Sequence, residues 1–144
     1  MEVRGERVWV LPVKGRGADV EALRATLAAL GADIVCPDET ELKAWDKCLA
    51  QASVVVVPLC AESLEDEDIE KVVVAASHAG KRIICIWLDE DEAELPPWIV
   101  REGDAVVVST PERIREVVID KKDIWESPKG QKRPKQPTPR HKGH

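Results

Sequence analysis

Four consecutive valines, Val54–Val57, constrain this chain more than any other stretch. They are β-branched, have no polar alternation, and are bounded by Ser53 and Pro58. Such a run reads as a strand buried on both faces, the signature of a central strand in a parallel sheet. A parallel sheet needs crossover connections, and the flanking sequence supplies helical patterns on either side.

Taken in order, Arg7–Val13 reads as a first strand and Lys14-Gly15-Arg16-Gly17 as a tight basic turn. Asp19 can cap the following helix, whose apolar stripe is Val20, Leu23, Leu27 and Leu30, and Gly31 suits a left-handed end. Asp33–Cys36 is a second strand. Asp38 with Glu41 reads as a capping pair for a second helix with Leu42, Trp45, Leu49 and Ala52 inward. After the valine strand comes a helix with an acidic start (Glu65, Asp66, Glu67, Asp68, Glu70) that buries Ile69, Val72, Val73 and Ala76 and stops at Gly80. Arg82–Leu88 is a fourth strand, Asp89–Glu94 an acidic loop, and Asp104–Val108 a fifth strand. Thr110 and Pro111 open a last helix with Ile114, Val117 and Val118 inward. The pattern predicts one α/β domain over residues 1–120, three-layered and flavodoxin-like. Its five-stranded parallel sheet has order 2-1-3-4-5, with helices on both faces.

The core must be aliphatic, because the chain has no Phe and no Tyr; Trp9, Trp45, Trp87 and Trp98 are its large pieces. The net charge of −6 hides an asymmetry: residues 121–144 hold eight Lys/Arg against two acids, leaving −12 on the body. So acidic a body does not bind nucleic acid by bulk attraction. The basic Pro- and Lys-rich tail, 121–144, is expected to be disordered and is the part that could dock an acidic protein or nucleic acid. No apolar run approaches the roughly 20 residues of a membrane span, and the N-terminus lacks an apolar signal core, so a cytoplasmic protein with no membrane partner is expected. Cys36, Cys48, Cys60 and Cys85 form no C-x-x-C pair and read as reduced, buried thiols; no metal site is expected.

Two places carry candidate chemistry. The turn Lys14, Gly15, Arg16, Gly17 lies between a first strand and a first helix, where α/β proteins often hold phosphate, although its G-x-G lacks the remainder of either nucleotide fingerprint; a plain exposed turn is the alternative. Glu70 stands 100° around its helix from Ile69, near the core edge and the strand tips, where a carboxylate can stabilise a developing cation. Dipole compensation alone accounts for most of Glu65–Asp68. A phospho-acceptor domain is excluded by Pro58-Leu59 where its aspartate would stand, and no G-x-S-x-G supports a serine hydrolase. His78, near a helix end, suits a dipole role.

The segment from Trp45 to Leu59, the acidic Pro37-Asp38-Glu39, the run Ala61–Glu70 and the strand and loop from Ile83 to Pro97 together resemble a bacterial TIR (Toll/interleukin-1 receptor) domain over roughly Arg7–Ile119. Nucleoside deoxyribosyltransferase-like proteins share the layout and form a second resemblance. Either implies a flavodoxin-like fold. The TIR resemblance implies NAD⁺ glycohydrolase activity in defence or signalling, with NAD as substrate rather than cofactor and Glu70 on the family's glutamate, or else a non-catalytic scaffold that self-associates. The family's Trp-Cys before that glutamate is Asp66-Glu67 here.

Overall fold

A computed structural model describes residues 6–133. Five strands, β1 (Arg7–Val10), β2 (Asp33–Ile34), β3 (Val54–Leu59), β4 (Arg82–Trp87) and β5 (Ala105–Val108), form one sheet of order β2-β1-β3-β4-β5, every pair parallel. The predicted order is the observed one. All six residues of β3 are buried, as the unbroken valine run requires.

Helix α1 (Gly17–Ala29) joins β1 to β2, and α2 (Trp45–Gln51) returns from β2 across β1 to β3. The short α3 (Ala61–Leu64) and α4 (Glu67–His78) lead to β4, α5 (Pro97–Glu102) to β5, and α6 (Pro111–Ile114) runs into a π-helical turn, Arg115–Ile119. Right-handed crossovers that run one way from β1 and the other way from β3 place these helices on opposite faces. Accordingly α1 packs beside α6, and α4 beside α5.

β3 extends through Pro58 rather than stopping before it, and the reason fixes the site. The carbonyls of Ser53 and Leu59 accept from Arg82 and Leu88 on the β4 side, whereas that of Val56 accepts from Leu11 on the β1 side. Alternation therefore aims the Pro58 nitrogen, which has no hydrogen to donate, toward β1. The β1–β3 ladder ends at that point while the β3–β4 ladder runs on to the Leu59–Trp87 pair.

Several local expectations are corrected. Asp38 and Glu41 cap nothing: residues 37–44 are turns, and α2 begins at Trp45 behind Ala44, without a side-chain cap. Trp45 is accordingly 39% exposed rather than in a buried stripe. Asp19 does not cap α1, which starts two residues earlier at Gly17. The acidic helix starts later than expected, at Glu67: a separate short α3 ends at Leu64, and Asp66 caps α4 by accepting from the Asp68 and Ile69 amides. Cys36 and Cys48 form a disulfide, Cα–Cα 5.9 Å, once the return of α2 brings them together, so the expectation of four reduced thiols holds only for Cys60 and Cys85, which are buried and outside any disulfide.

The tail is the largest correction. Residues 121–133 are stitched to the body. Ile124 and Glu126 bracket Val106 on the outer edge of β5, with Val106 N–H donating to Ile124 O at 2.8 Å and Glu126 N–H to Val106 O at 2.7 Å. Trp125 is buried at 5% exposure, and the Trp87 indole donates to the Glu126 carbonyl at 3.0 Å. The Glu126 carboxylate is buried but paired, accepting from Val108 N–H and Arg113 Nε. The disorder expected for 134–144 lies outside the described residues. Deleting a buried tryptophan costs about 3–5 kcal/mol. Trp125→Ala should lower unfolding free energy by that amount in urea. A chain ending at Asp120 should lose at least as much.

Candidate functional site

In a 2-1-3-4-5 sheet the strand order reverses between β1 and β3, and ligands in open α/β sheets bind outside the strand tips at that reversal. The β1–β3 ladder ends there, just before Pro12. A cavity of about 530 Å³ occupies the position, within the range of small-molecule sites. Its walls come from three places. Pro12 and Lys14 follow β1; Thr40, Glu41, Leu42, Lys43 and Trp45 belong to the loop after β2 and the first residue of α2; Asp66, Asp68, Lys71 and Val72 belong to the start of α4.

The lining is mixed in charge, with three lysines against three carboxylates. Lys43 is paired with Glu41 at 3.3 Å, and one Asp66 oxygen is spent on the α4 cap. Lys14, Lys71 and the Asp68 carboxylate make no ion pair or side-chain hydrogen bond with any other described residue. Trp45 offers an exposed ring face beside them, the one large hydrophobic side chain exposed among the described residues.

The basic turn is divided by the fold. Lys14 lines the cavity, but Gly15, Arg16 and Gly17 do not. Gly15 turns the chain at φ +79°, a conformation that favours glycine. Arg16 is not free to meet phosphate, because all its guanidinium donors are engaged by three carboxylates. It reaches Glu62 of α3 at 3.0 Å, Asp19 of α1 at 3.1 Å and Asp89 after β4 at 3.0 Å. Arg16 thus ties together the loops at three strand tips, and the acidic Asp89 that follows β4 serves this knot.

Glu70 is half-buried but does not line the cavity. At 100° per residue it lies 200° from both Asp68 and Val72, which do. It shares its side of α4 with Ser77, whose hydroxyl donates to Glu102 of α5 at 2.7 Å. Neither Glu70 nor Gly15, Arg16 and Gly17 therefore lines the observed cleft. The fold brings together Lys14, Trp45, Asp68 and Lys71 instead. Trp45 and Asp68 carry sequence signals, as the aromatic of the helical stripe just ahead of the valine strand and as part of the acidic run, but periodicity alone points one to the core and the other to the helix dipole. No cluster of metal-ligating side chains occurs among the described residues.

Arg16, first, and the backbone of Glu62 itself, second, hold the Glu62 carboxyl below the usual carboxylate value of 4.5. A lowered folded pKa adds stability at pH above the unfolded value, and that contribution is lost as pH falls through the folded one. Carboxyl-carbon NMR titration should show Glu62 titrating below 4.5, and Arg16→Gln should move it back toward 4.5. No helix among the described residues is long and apolar enough to cross a membrane. The chain matches no protein-family model and no curated protein, so what can be said of its role rests on this geometry.

Proposed function

We propose that the cleft between β1 and β3 binds a dinucleotide, NAD⁺ by the TIR resemblance, and that the protein cleaves its nicotinamide–ribose bond. One observation carries the reading: a single 530 Å³ cavity at the strand-order reversal presents unpaired lysines, an unpaired carboxylate and an exposed indole face together. NAD⁺ carries a diphosphate and a cationic ring, so a lining of both signs suits it better than a purely basic one would. Lys14 and Lys71 are the cations for phosphate, and Trp45 offers a π face to the nicotinamide ring.

Asp68 takes the part that the resemblance gives to Glu70. As the C–N bond to nicotinamide lengthens, its electrons leave with the ring and positive charge grows on the ribose. A carboxylate beside the ribose stabilises that charge, and water adds at the anomeric carbon. The balance is NAD⁺ plus water giving ADP-ribose, nicotinamide and one proton. Removing one preorganised electrostatic group typically costs about 10²–10³ in turnover. Nicotinamide release should fall by that order in Asp68→Asn and in Lys14→Ala, and should persist in Glu70→Ala. No nicotinamide release at high concentrations of the intact protein would sink the catalytic reading, and loss in Glu70→Ala alone would return the role to position 70.

The absence of Glu70 from the cavity lining favours a second reading, a non-catalytic TIR-like interaction module that uses the same fold to self-associate or to present its basic end to an acidic protein or nucleic acid. Its deletion test begins at Pro134, because residues 121–133 are needed by the body.

A further inference from the structure

The disulfide and the cleft share a loop. Cys36 lies just after β2 and Cys48 lies in α2, and the residues between them supply five of the eleven that line the cavity. That loop has few other anchors. Among the hydrogen bonds of the described residues, the one that ties residues 37–44 to another part of the fold is Arg24 Nη2 to the Glu39 carbonyl, 2.7 Å. The turn bonds from Glu39 to Cys36 and from Trp45 to Leu42 are internal. α2 has seven residues and no side-chain cap, too short to hold itself. Its anchors to the core are Cys48 and Leu49. Within the loop itself, the partly buried Leu42 packs against the core, so the cross-link and this one side chain are the constraints on that wall of the cleft.

We propose that the Cys36–Cys48 disulfide is a redox gate on this cleft, closed to a defined wall when oxidised and loosened when a dithiol reduces it. Cys48 is buried at 1% exposure, whereas Cys36 is half-buried and faces the shorter approach from solvent. A thiolate of the reductant attacks Cys36 Sγ, and Cys48 leaves as a thiolate and takes up a proton. The second thiol of the reductant then attacks the mixed disulfide and releases Cys36 as a thiol. Two electrons and two protons pass from the dithiol to the cysteine pair, and the reductant ends as a cyclic disulfide. Cys36 also holds φ +50°, a backbone region that non-glycine residues seldom adopt, and the freed residue can leave it. Residues 40–45 then lose their fixed position, and Lys43 and Trp45 with them. The consequence for ligand binding rests on the nucleotide reading above; the loosening of the loop does not.

Trp45 reports on the gate, since Trp9, Trp87, Trp98 and Trp125 are all buried. The intact protein is compared before and after dithiothreitol by acrylamide quenching of tryptophan fluorescence and by calorimetric titration with NAD⁺. Alkylation of the denatured, unreduced protein should label two cysteines, Cys60 and Cys85; labelling of all four overturns the proposal. Reduction should raise the quenching constant at least threefold and weaken NAD⁺ binding at least tenfold. The quenching change should vanish in Trp45→Phe. The double variant Cys36→Ser/Cys48→Ser should behave as the reduced protein and ignore dithiothreitol. Unchanged quenching on reduction, or a change that survives in Trp45→Phe, overturns the gate. If the double variant does not fold, the reduced wild-type protein, checked by far-UV circular dichroism, decides in its place. A quenching response without NAD⁺ affinity in either state supports the gate and removes the nucleotide reading.

Discussion

The two unequal sides of β3 govern the rest of the structure. Toward β4, every backbone donor it presents is available, and the ladder runs from Val54–Arg82 to Leu59–Trp87. Toward β1, Pro58 withholds the next donor, and pairing stops with Leu11. A proline in a central strand would normally leave a buried carbonyl without a partner. Here the β1 pairing has already ended, and Pro12, the residue after Leu11, lines the cleft. The same six buried residues thus hold the sheet together and end its pairing with β1.

Around that cleft, charge is sorted by the fold rather than by local sequence. Lys14 and Arg16 are two residues apart, yet one faces the cavity and the other is enclosed by carboxylates from three loops. Arg16 acts as an internal cation for an acidic body, joining Asp19, Glu62 and Asp89. Partly exposed pairs of this kind are individually weak. Their use here is geometric, because they bind the tips of β1, β3 and β4 at one point and keep the first turn in register with the cleft. The disulfide does the corresponding work on the other wall, where the residues after β2 have almost no hydrogen bonds to the body.

Much of the fold was legible because it follows from periodicity and punctuation. The valine run, the stripes of α1 and α4, the left-handed Gly31 and Gly80, and the Thr110–Pro111 helix start each act within a few residues. The candidate site was less legible. Burial of Ile69, Val72, Val73 and Ala76 leaves α4 with two flanks, Asp68 on one and Glu70 on the other, about 100° either side of Ile69. Periodicity treats those flanks alike. Which of them meets the cleft depends on α5 lying against the Glu70 side, a packing relation between elements far apart in sequence. Trp125 is hidden for a different reason: Ile124-Trp125 is an apolar pair that the edge of β5 buries, but it stands among lysines whose composition is that of a solvated tail.

The alternation of strands and helices, the parallel direction of pairing that it implies and the aliphatic core were settled along the chain, since β-branched runs and helical stripes are short-range properties, and 2-1-3-4-5 is the simplest order that they allow. Whether Cys36 would find Cys48, whether Arg16 would face ligand or carboxylate, and which acid of α4 would line the cavity were settled only in three dimensions. Each of these depends on a distance between residues brought near one another by crossovers, and no pattern confined to one segment encodes such a distance.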